Sequence, residues 1–103
     1  MDEAYEIRWV GWNNSFENGT QHDKVWGWLE MSDGRLYCFW GARGKTLRFK
    51  LHYRLGQLLT LQRNKESRGY NFVDPMEYDR LVQDFITDVE SYCMMAILSE
   101  TIM

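Results

Sequence analysis

The stretch TLRFKLHYR, residues 46–54, decides the fold of this chain because its side chains alternate strictly in character. A strand places successive side chains on opposite faces of its sheet, so a period of two predicts one apolar and one basic face. The apolar side holds Leu47, Phe49, Leu51 and Tyr53, and the basic side holds Arg48, Lys50, His52 and Arg54. The stretch therefore predicts a β-strand that buries one face and exposes positive charge on the other.

Three more strands are predicted upstream of this one. Residues 4–12 alternate Tyr5, Ile7 and Trp9 with Glu6 and Arg8, and residues 24–31 and 35–41 are short runs rich in aromatic and other apolar residues. Ser32-Asp33-Gly34 is a hairpin turn signal, since glycine readily adopts the positive φ that such turns need. The polar segment 13–23 is predicted to be a loop. The short connections indicate an antiparallel meander of about four strands.

A short helix and a long helix are predicted after the strands. The short helix covers residues 54–68 and is followed by an extended segment over 69–73. Asp74-Pro75-Met76-Glu77 combines an N-cap, a proline at the first position and a capping box, so a long helix is expected over 75–98. Strands followed by helices in a chain of 103 residues indicate one α+β domain with both helices on one face of the sheet. The apolar side of the short helix is made of Leu55, Leu58, Leu59 and Gln62.

The long helix has an apolar side that the sequence can explain in two ways. Residues 94–98 and 102–103 extend it with an apolar end that a small domain would not fully cover. One interpretation is a homodimer through helix 75–98, and the other is an ordinary core helix. The apolar side consists of Tyr78, Leu81, Val82, Phe85, Val89, Tyr92, Cys93 and Ala96.

Charge is distributed unevenly along the chain, whose net charge is −3. Residues 43–68 hold eight of the 12 lysines and arginines but only one of the 15 acidic residues. Such asymmetry indicates one surface for an anionic partner. The alternative is that the basic segment pairs with the acidic C-terminal helix of the same chain or of a second copy.

Several classes of protein are not expected from this composition. No apolar run approaches the roughly 20 residues of a membrane-spanning helix, and the acidic N-terminus lacks the core of a signal peptide. A cytoplasmic protein is therefore expected, with Cys38 and Cys93 as buried free thiols. The two histidines, His22 and His52, belong to no nucleophile or metal-ligand motif. We therefore predict neither enzymatic activity nor a bound cofactor.

The tryptophans exceed what one face of a small sheet can bury, so we expect some of them to be exposed. Nucleic-acid bases stack on exposed aromatic rings beside basic side chains. Protein partners also anchor on tryptophan and arginine, so both kinds of ligand remain open at this point. The five residues are Trp9, Trp12, Trp26, Trp28 and Trp40.

One ordered set of motifs extends from the third strand to the end of the short helix. A strand ends in Tyr37-x-x-Trp40-Gly41, Gly44 follows, and a helix then leads to Lys65-x-x-x-Gly69-Tyr70. Over residues 24–73 this order resembles the WGR domain, a small module that accompanies DNA-damage-responsive ADP-ribosyl transferases and also occurs alone in bacterial proteins. The resemblance implies contact with nucleic acid, including broken DNA ends, through the signature tryptophan. The arginine of the family signature falls on Ala42 in this chain.

These observations predict a non-catalytic module that binds nucleic acid, with DNA as the leading ligand. The alternative is a protein-interaction module, an adaptor or inhibitor of phage or accessory bacterial type. Such a module would bind an acidic partner on the basic face, or another protein through exposed tryptophans and the acidic C-terminal helix. The predicted nucleic-acid site consists of Trp40, Arg43, Lys45, Arg48, Lys50, His52, Arg54 and Lys65.

Overall fold

The structure, a computed structural model, describes residues 5–52 and 54–87. Most of the strands precede the helices, as the sequence predicts. A short 3-10 helix, Pro75–Tyr78, leads into a helix that the structure describes over 79–87. In chain order the preceding elements are β1 (Tyr5–Asn13), β2 (Phe16–Glu17), β3 (Thr20–Gln21), β4 (Lys24–Met31), β5 (Leu36–Ala42), β6 (Arg48–His52), α1 (Leu55–Ser67) and β7 (Asn71–Phe72).

The main sheet is antiparallel and has five strands in the order β6-β5-β4-β1-β7. The predicted α+β class, with an antiparallel sheet followed by a short helix and a C-terminal helix, is confirmed. The fifth strand, β7, comes from the segment 69–73, which is predicted only as extended chain. It pairs with Gly11 and Trp12 of β1 at the edge of the sheet.

The predicted loop over 13–23 contains a small hairpin formed by β2 and β3. Asn18 and Gly19 connect the two strands with positive φ values of 51° and 76°. Asn-Gly with both residues in this conformation is the preferred two-residue hairpin turn. The description of 13–23 as a loop is therefore wrong at this hairpin.

Strand β1 contains a bulge that changes which of its side chains share a face. Strict alternation predicts Tyr5, Ile7 and Trp9 on one face of the sheet. The pairing with β4 shifts between Ile7, which faces Leu29, and Trp9, which faces Trp28. A bulge adds one residue to one strand, so every later side chain changes face. Ile7 and Trp9 consequently belong to two different apolar clusters.

The sheet is covered on both faces, which corrects the expectation that both helices share one face. Helix α1 packs against one face through Leu58, which is fully buried. The helix over 79–87 packs against the opposite face through Val82 and Ile86. We call these surfaces the α1 face and the opposite face. On the α1 face, Leu58 contacts a cluster of Trp26, Trp28, Leu36 and Cys38, with Trp9, Trp40, Leu61 and Tyr70 packed around it.

Helix α1 is rotated relative to the predicted orientation. Leu55 and Leu59 are 49% and 37% exposed, so they do not belong to its buried side. Instead, Leu58 is buried and Gln62 accepts a 2.8 Å hydrogen bond at Oε1 from Nε1 of Trp28. The buried indole N–H needs an acceptor, and this bond therefore helps to set the rotation of the helix.

The C-terminal helix begins at Pro75 as its sequence predicts, but its first turn, Pro75–Tyr78, is a 3-10 helix. Asp74 accepts a 3.0 Å hydrogen bond from the backbone N–H of Met76 and so caps the turn. Phe85 stacks on Phe49 of β6, with the ring centroids 3.5 Å apart, which ties the helix to the apolar side of that strand. Residues 88–98 of the predicted helix lie outside the described residues, and the homodimer through this helix stays a prediction.

Candidate functional site

The basic side of β6 lies on the α1 face. Arg48 is paired with Trp40 and Lys50 with Cys38 of β5, so these side chains project from the same face as the tryptophan cluster. The helix over 79–87 lies on the opposite face. The sheet therefore separates the acidic side chains of that part of the helix from the basic side of β6. Pairing between the two within one molecule, an alternative left open by the sequence, does not occur in these segments.

A cavity of about 510 Å³ opens on the α1 face where β4, β5 and the end of α1 meet. We call it the basic cleft. Among the described residues that line it, none is acidic. Its charged and aromatic lining residues are Lys24, Trp40, Lys45, Arg48, Lys65 and Tyr70.

Lys65 has the most unusual environment in the basic cleft. Its Nζ lies 5.1 Å from the centroid of the Tyr70 ring, within the range of a cation–π contact. Burial, together with the positive charges of Arg68 and Lys24, lowers the pKa of Lys65. No carboxylate of residues 5–52 and 54–87 forms an ion pair with Lys24 or Lys65. The cleft thus concentrates positive charge without a counter-ion from the described part of the chain.

The cationic surface continues on the far side of Lys65. A smaller cavity of about 300 Å³ shares Lys24, Lys65 and Tyr70 with the basic cleft and adds Arg68 and His22. Glu17 also lines this second cavity, so its charge is partly balanced. The basic cleft is therefore the more strongly cationic of the two.

A third cavity, of about 680 Å³, lies between β6 and the start of α1. We call it the distal cavity. Lys50, His52 and Arg54 line its strand side, and Gln57, Thr60 and Leu61 line its helix side. None of these residues is acidic. The predicted basic strand face is thus divided between the basic cleft, which takes Arg48, and the distal cavity.

His52 contacts the thiol of Cys38 on the α1 face of the sheet. Its Nε2 lies 3.2 Å from Sγ of Cys38, which is 4% exposed. Burial raises the pKa of the Cys38 thiol, against the opposing effect of Lys50. A nucleophilic cysteine needs a lowered pKa and access to its substrate. This pair has neither property, and it is better described as a packed contact.

Arg43 does not join the other predicted site residues. Its Nε lies 3.4 Å from Oδ1 of Asp23, and its guanidinium lies 4.3 Å from the centroid of a Trp12 ring. Trp12 packs on the opposite face of the sheet. Arg43 is therefore held away from Trp40 by an acidic partner and an aromatic ring.

None of the five tryptophans is exposed, which corrects the expectation from their number. Trp26 and Trp28 are 4% and 7% exposed, and the other three are partly buried. The bulge in β1 and the cover of α1 give them room on the α1 face, except for Trp12 on the opposite face. Of the five, Trp40 lines the basic cleft and keeps access to a ligand there.

Two of the charged and aromatic residues that line the basic cleft, Lys24 and Tyr70, are not part of the site predicted from the sequence. Lys24 enters the cleft because β4 pairs with β5, which places Lys24 beside Ala42 although 18 positions separate them in the chain. Tyr70 enters it because the turn after α1 returns the chain to the sheet. The Gly69-Tyr70 pair in the WGR-like motif was the one sequence signal that pointed to Tyr70.

Other kinds of site find no support in the part of the chain that the structure describes. No group of three or more histidine, cysteine, aspartate or glutamate side chains there is arranged to hold a metal ion. Within the same residues, no helix combines the length and apolar character needed to cross a membrane.

Comparison with known proteins identifies no relative: no family model, no curated protein and no solved structure matches the chain.

Proposed function

We propose that this chain is a non-catalytic module that binds nucleic acid, with DNA as the leading ligand, through the basic cleft. The observation that carries the proposal is the combination of four cations with two partly buried aromatic residues in one cavity whose described lining contains no acid. Phosphates are attracted by clustered lysines and arginines, and bases stack on aromatic rings beside them. The net charge of −3 does not oppose this, because positive charge is concentrated on one face.

The WGR resemblance gives the proposal a second line of support. Trp40, Gly41, Lys65 and Tyr70 come from the two separated ends of the WGR-like motif, and all four line the basic cleft. We therefore propose a WGR-like module in which Ala42 replaces the signature arginine. Lys24, paired with Ala42 across β4 and β5, supplies a positive charge close to that position. The buried thiol of Cys38 suits the reducing cytoplasm, where we place the protein.

A protein-interaction module remains the alternative proposal. Exposed tryptophans do not support this alternative, since none of the five tryptophans is exposed. Its support comes instead from Leu55 and Leu59, which lie one turn apart on α1 with 49% and 37% of their surface exposed. A protein that binds this pair would not depend on the cations of the basic cleft.

Fluorescence anisotropy with labelled single-stranded and duplex DNA at low salt tests the proposal. Lys24→Ala combined with Lys65→Ala should weaken binding by at least about tenfold, because two charge-assisted contacts are lost. Arg43→Ala is the matched control, since it also removes a surface cation but lies on the other side of the sheet. Absence of binding by the wild-type protein at low salt, or an equal loss in Arg43→Ala, would reject the proposal.

A further inference from the structure

The basic cleft and the distal cavity lie next to each other along the boundary between β6 and α1. On the strand side, Arg48 lines the basic cleft and Lys50 lines the distal cavity, and both project from the same face. On the helix side, Lys65 lines the basic cleft and Leu61, one helical turn earlier, lines the distal cavity. The two cavities share no lining residue, but on each wall neighbouring positions line first one cavity and then the other. Together we call them the β6–α1 groove.

The strand β5 lies beneath the groove: Trp40 lines the basic cleft, and Cys38 and Leu36 are buried below the distal cavity. Trp40 and Cys38 are the partners of Arg48 and Lys50 in the sheet, and Leu36 is the partner of His52. These three residues pack together with α1 in one cluster. The groove thus rests on a packed apolar layer and has a row of basic side chains on one side, and both of its walls belong to regular secondary structure.

The basic side chains along the groove are regularly spaced. Arg48, Lys50 and His52 are alternate residues of one strand, so their Cα atoms are separated by steps of about 6.6 Å. The row spans roughly 13 Å from Arg48 to His52. The basic cleft extends it at the Arg48 end, and Arg54 extends it at the other. None of the described residues that line either cavity is acidic. A linear polyanion fits such a row better than a compact anion does.

The aromatic residues at one end of the groove favour unpaired bases. Trp40 and Tyr70 lie within the concave basic cleft, partly buried beside Lys65. In a duplex the faces of the bases are stacked on one another, and a protein meets only their edges in the grooves. A single strand can turn its bases toward an aromatic ring while its phosphates follow a positive groove.

The position of β6 allows such a strand to enter and leave. β6 is the terminal strand of the sheet, so no further strand of the described chain closes the outer side of the groove. The charged side chains on this edge also oppose pairing with a second β6, since exposed lysine and arginine are a common protection of sheet edges.

We propose that the β6–α1 groove binds a single strand of about four nucleotides, with a base at Trp40 and Tyr70 and the backbone along Arg48, Lys50 and Arg54. This inference rests on the proposed function and adds the class of nucleic acid and the course of the strand. A strand of four nucleotides needs both cavities for its full affinity. A strand of two nucleotides occupies the basic cleft alone.

Affinity measured as a function of ligand length and strandedness tests the inference. The probes are labelled oligothymidylates of two, four and eight nucleotides and a hairpin duplex, all without a terminal phosphate. We expect affinity to rise from two to four nucleotides and to change little at eight. The single strand of eight nucleotides should bind at least about tenfold more tightly than the duplex, consistent with base stacking on one or two rings.

Variants of the distal cavity provide the second part of the test. Lys50→Ala with Arg54→Ala should weaken binding of the eight-nucleotide strand several-fold and leave the two-nucleotide ligand unchanged. Circular dichroism and the Tm of each variant confirm that it is folded. Equal or tighter binding of the duplex, or an equal loss for both ligand lengths, would overturn this inference while the proposed function stands. Absence of binding by every probe at low salt would overturn both.

Discussion

Lys65 and Tyr70 form a cation–π contact, with Nζ of the lysine 5.1 Å from the ring centroid, at the point where the end of α1 meets the sheet. Lys65 is half-buried, and its charge is opposed by Arg68 and Lys24 rather than balanced by a described carboxylate. Such an arrangement is costly for the isolated protein, because burial and like charges both disfavour the ammonium. A bound phosphate would supply the negative charge that stabilises the ammonium against both effects, which is why this pair lies at the centre of the proposed site.

The salt dependence of binding should report directly on Lys65. For single strands, the slope of log K against log salt is about −0.7 for each phosphate neutralised. Lys65→Met should therefore make the slope of the wild-type protein shallower by about 0.7. Tyr70→Leu is the matched control: it should lower affinity through lost stacking and leave the slope unchanged. An unchanged slope in Lys65→Met would exclude Lys65 from phosphate contact.

The hydrogen bond between Trp28 and Gln62 should contribute measurably to stability. Gln62→Ala leaves the indole N–H of a nearly buried tryptophan without its acceptor, which should lower the free energy of unfolding by about 1–2 kcal/mol. Urea unfolding measures this change. In a Trp28→Phe background the same substitution should cost only a few tenths of a kcal/mol, because no N–H remains. Equal costs in the two backgrounds would show that the bond does not hold α1 in place.

Two glycines should respond to alanine in opposite directions. A Cβ at Gly11 would lie 2.6 Å from Cζ3 of Trp9 and 3.0 Å from Cβ of Tyr70, so Gly11→Ala should destabilise the protein by about 1–3 kcal/mol. Gly56 lies in the first turn of α1 with open space around it, so Gly56→Ala should stabilise by up to about 1 kcal/mol. Thermal unfolding of the two variants checks both signs. A neutral Gly11→Ala would mean that Trp9 is free to move.

Stability should fall as the pH rises through the range in which unfolded cysteine ionises. Burial raises the pKa of Cys38, so the native thiol keeps its proton when the unfolded thiol, with a pKa near 8.5, has lost it. The unfolded state then binds fewer protons, and the free energy of unfolding decreases with pH. Urea unfolding at pH 7.5, 8.5 and 9.5 should show this decrease, with a smaller one in Cys38→Ala. A stability that rises over this interval would contradict the assignment.

The parts of the fold that sequence could predict are those fixed by local patterns. The alternation of residues 46–54 predicted the two faces of β6, and Asp74-Pro75 predicted the start of the last helical segment, both as found. The bulge at Arg8 could not be predicted, because Trp9-Val10-Gly11-Trp12 contains no polar side chain that would show which of these residues share a face. The side of the sheet that each helix covers depends on the chain connections and on packing between distant segments. Neither produces a local sequence pattern from which the side could be predicted.

In the candidate site, too, the residues that a local sequence pattern marks could be predicted and those placed by long-range contacts could not. The cations of β6 were predicted because they share one strand, whereas Arg43 was included only because it is close in the chain. Its salt bridge to Asp23 depends on a contact between segments 20 residues apart, which charge counting does not detect. Lys24 was missed for the converse reason, since only the pairing of β4 with β5 places it in the basic cleft.

Mapping of the binding surface by nuclear magnetic resonance tests the central claim most directly. Backbone amide shifts of the labelled protein would be followed during titration with the eight-nucleotide strand. We predict that the largest changes fall on β6, on Lys24 and on Lys65 and Tyr70, while Tyr78, Val82 and Ile86 on the opposite face stay unchanged. Changes centred on the opposite face, or on the exposed Leu55 and Leu59 alone, would contradict the assignment of the β6–α1 groove as the nucleic-acid site.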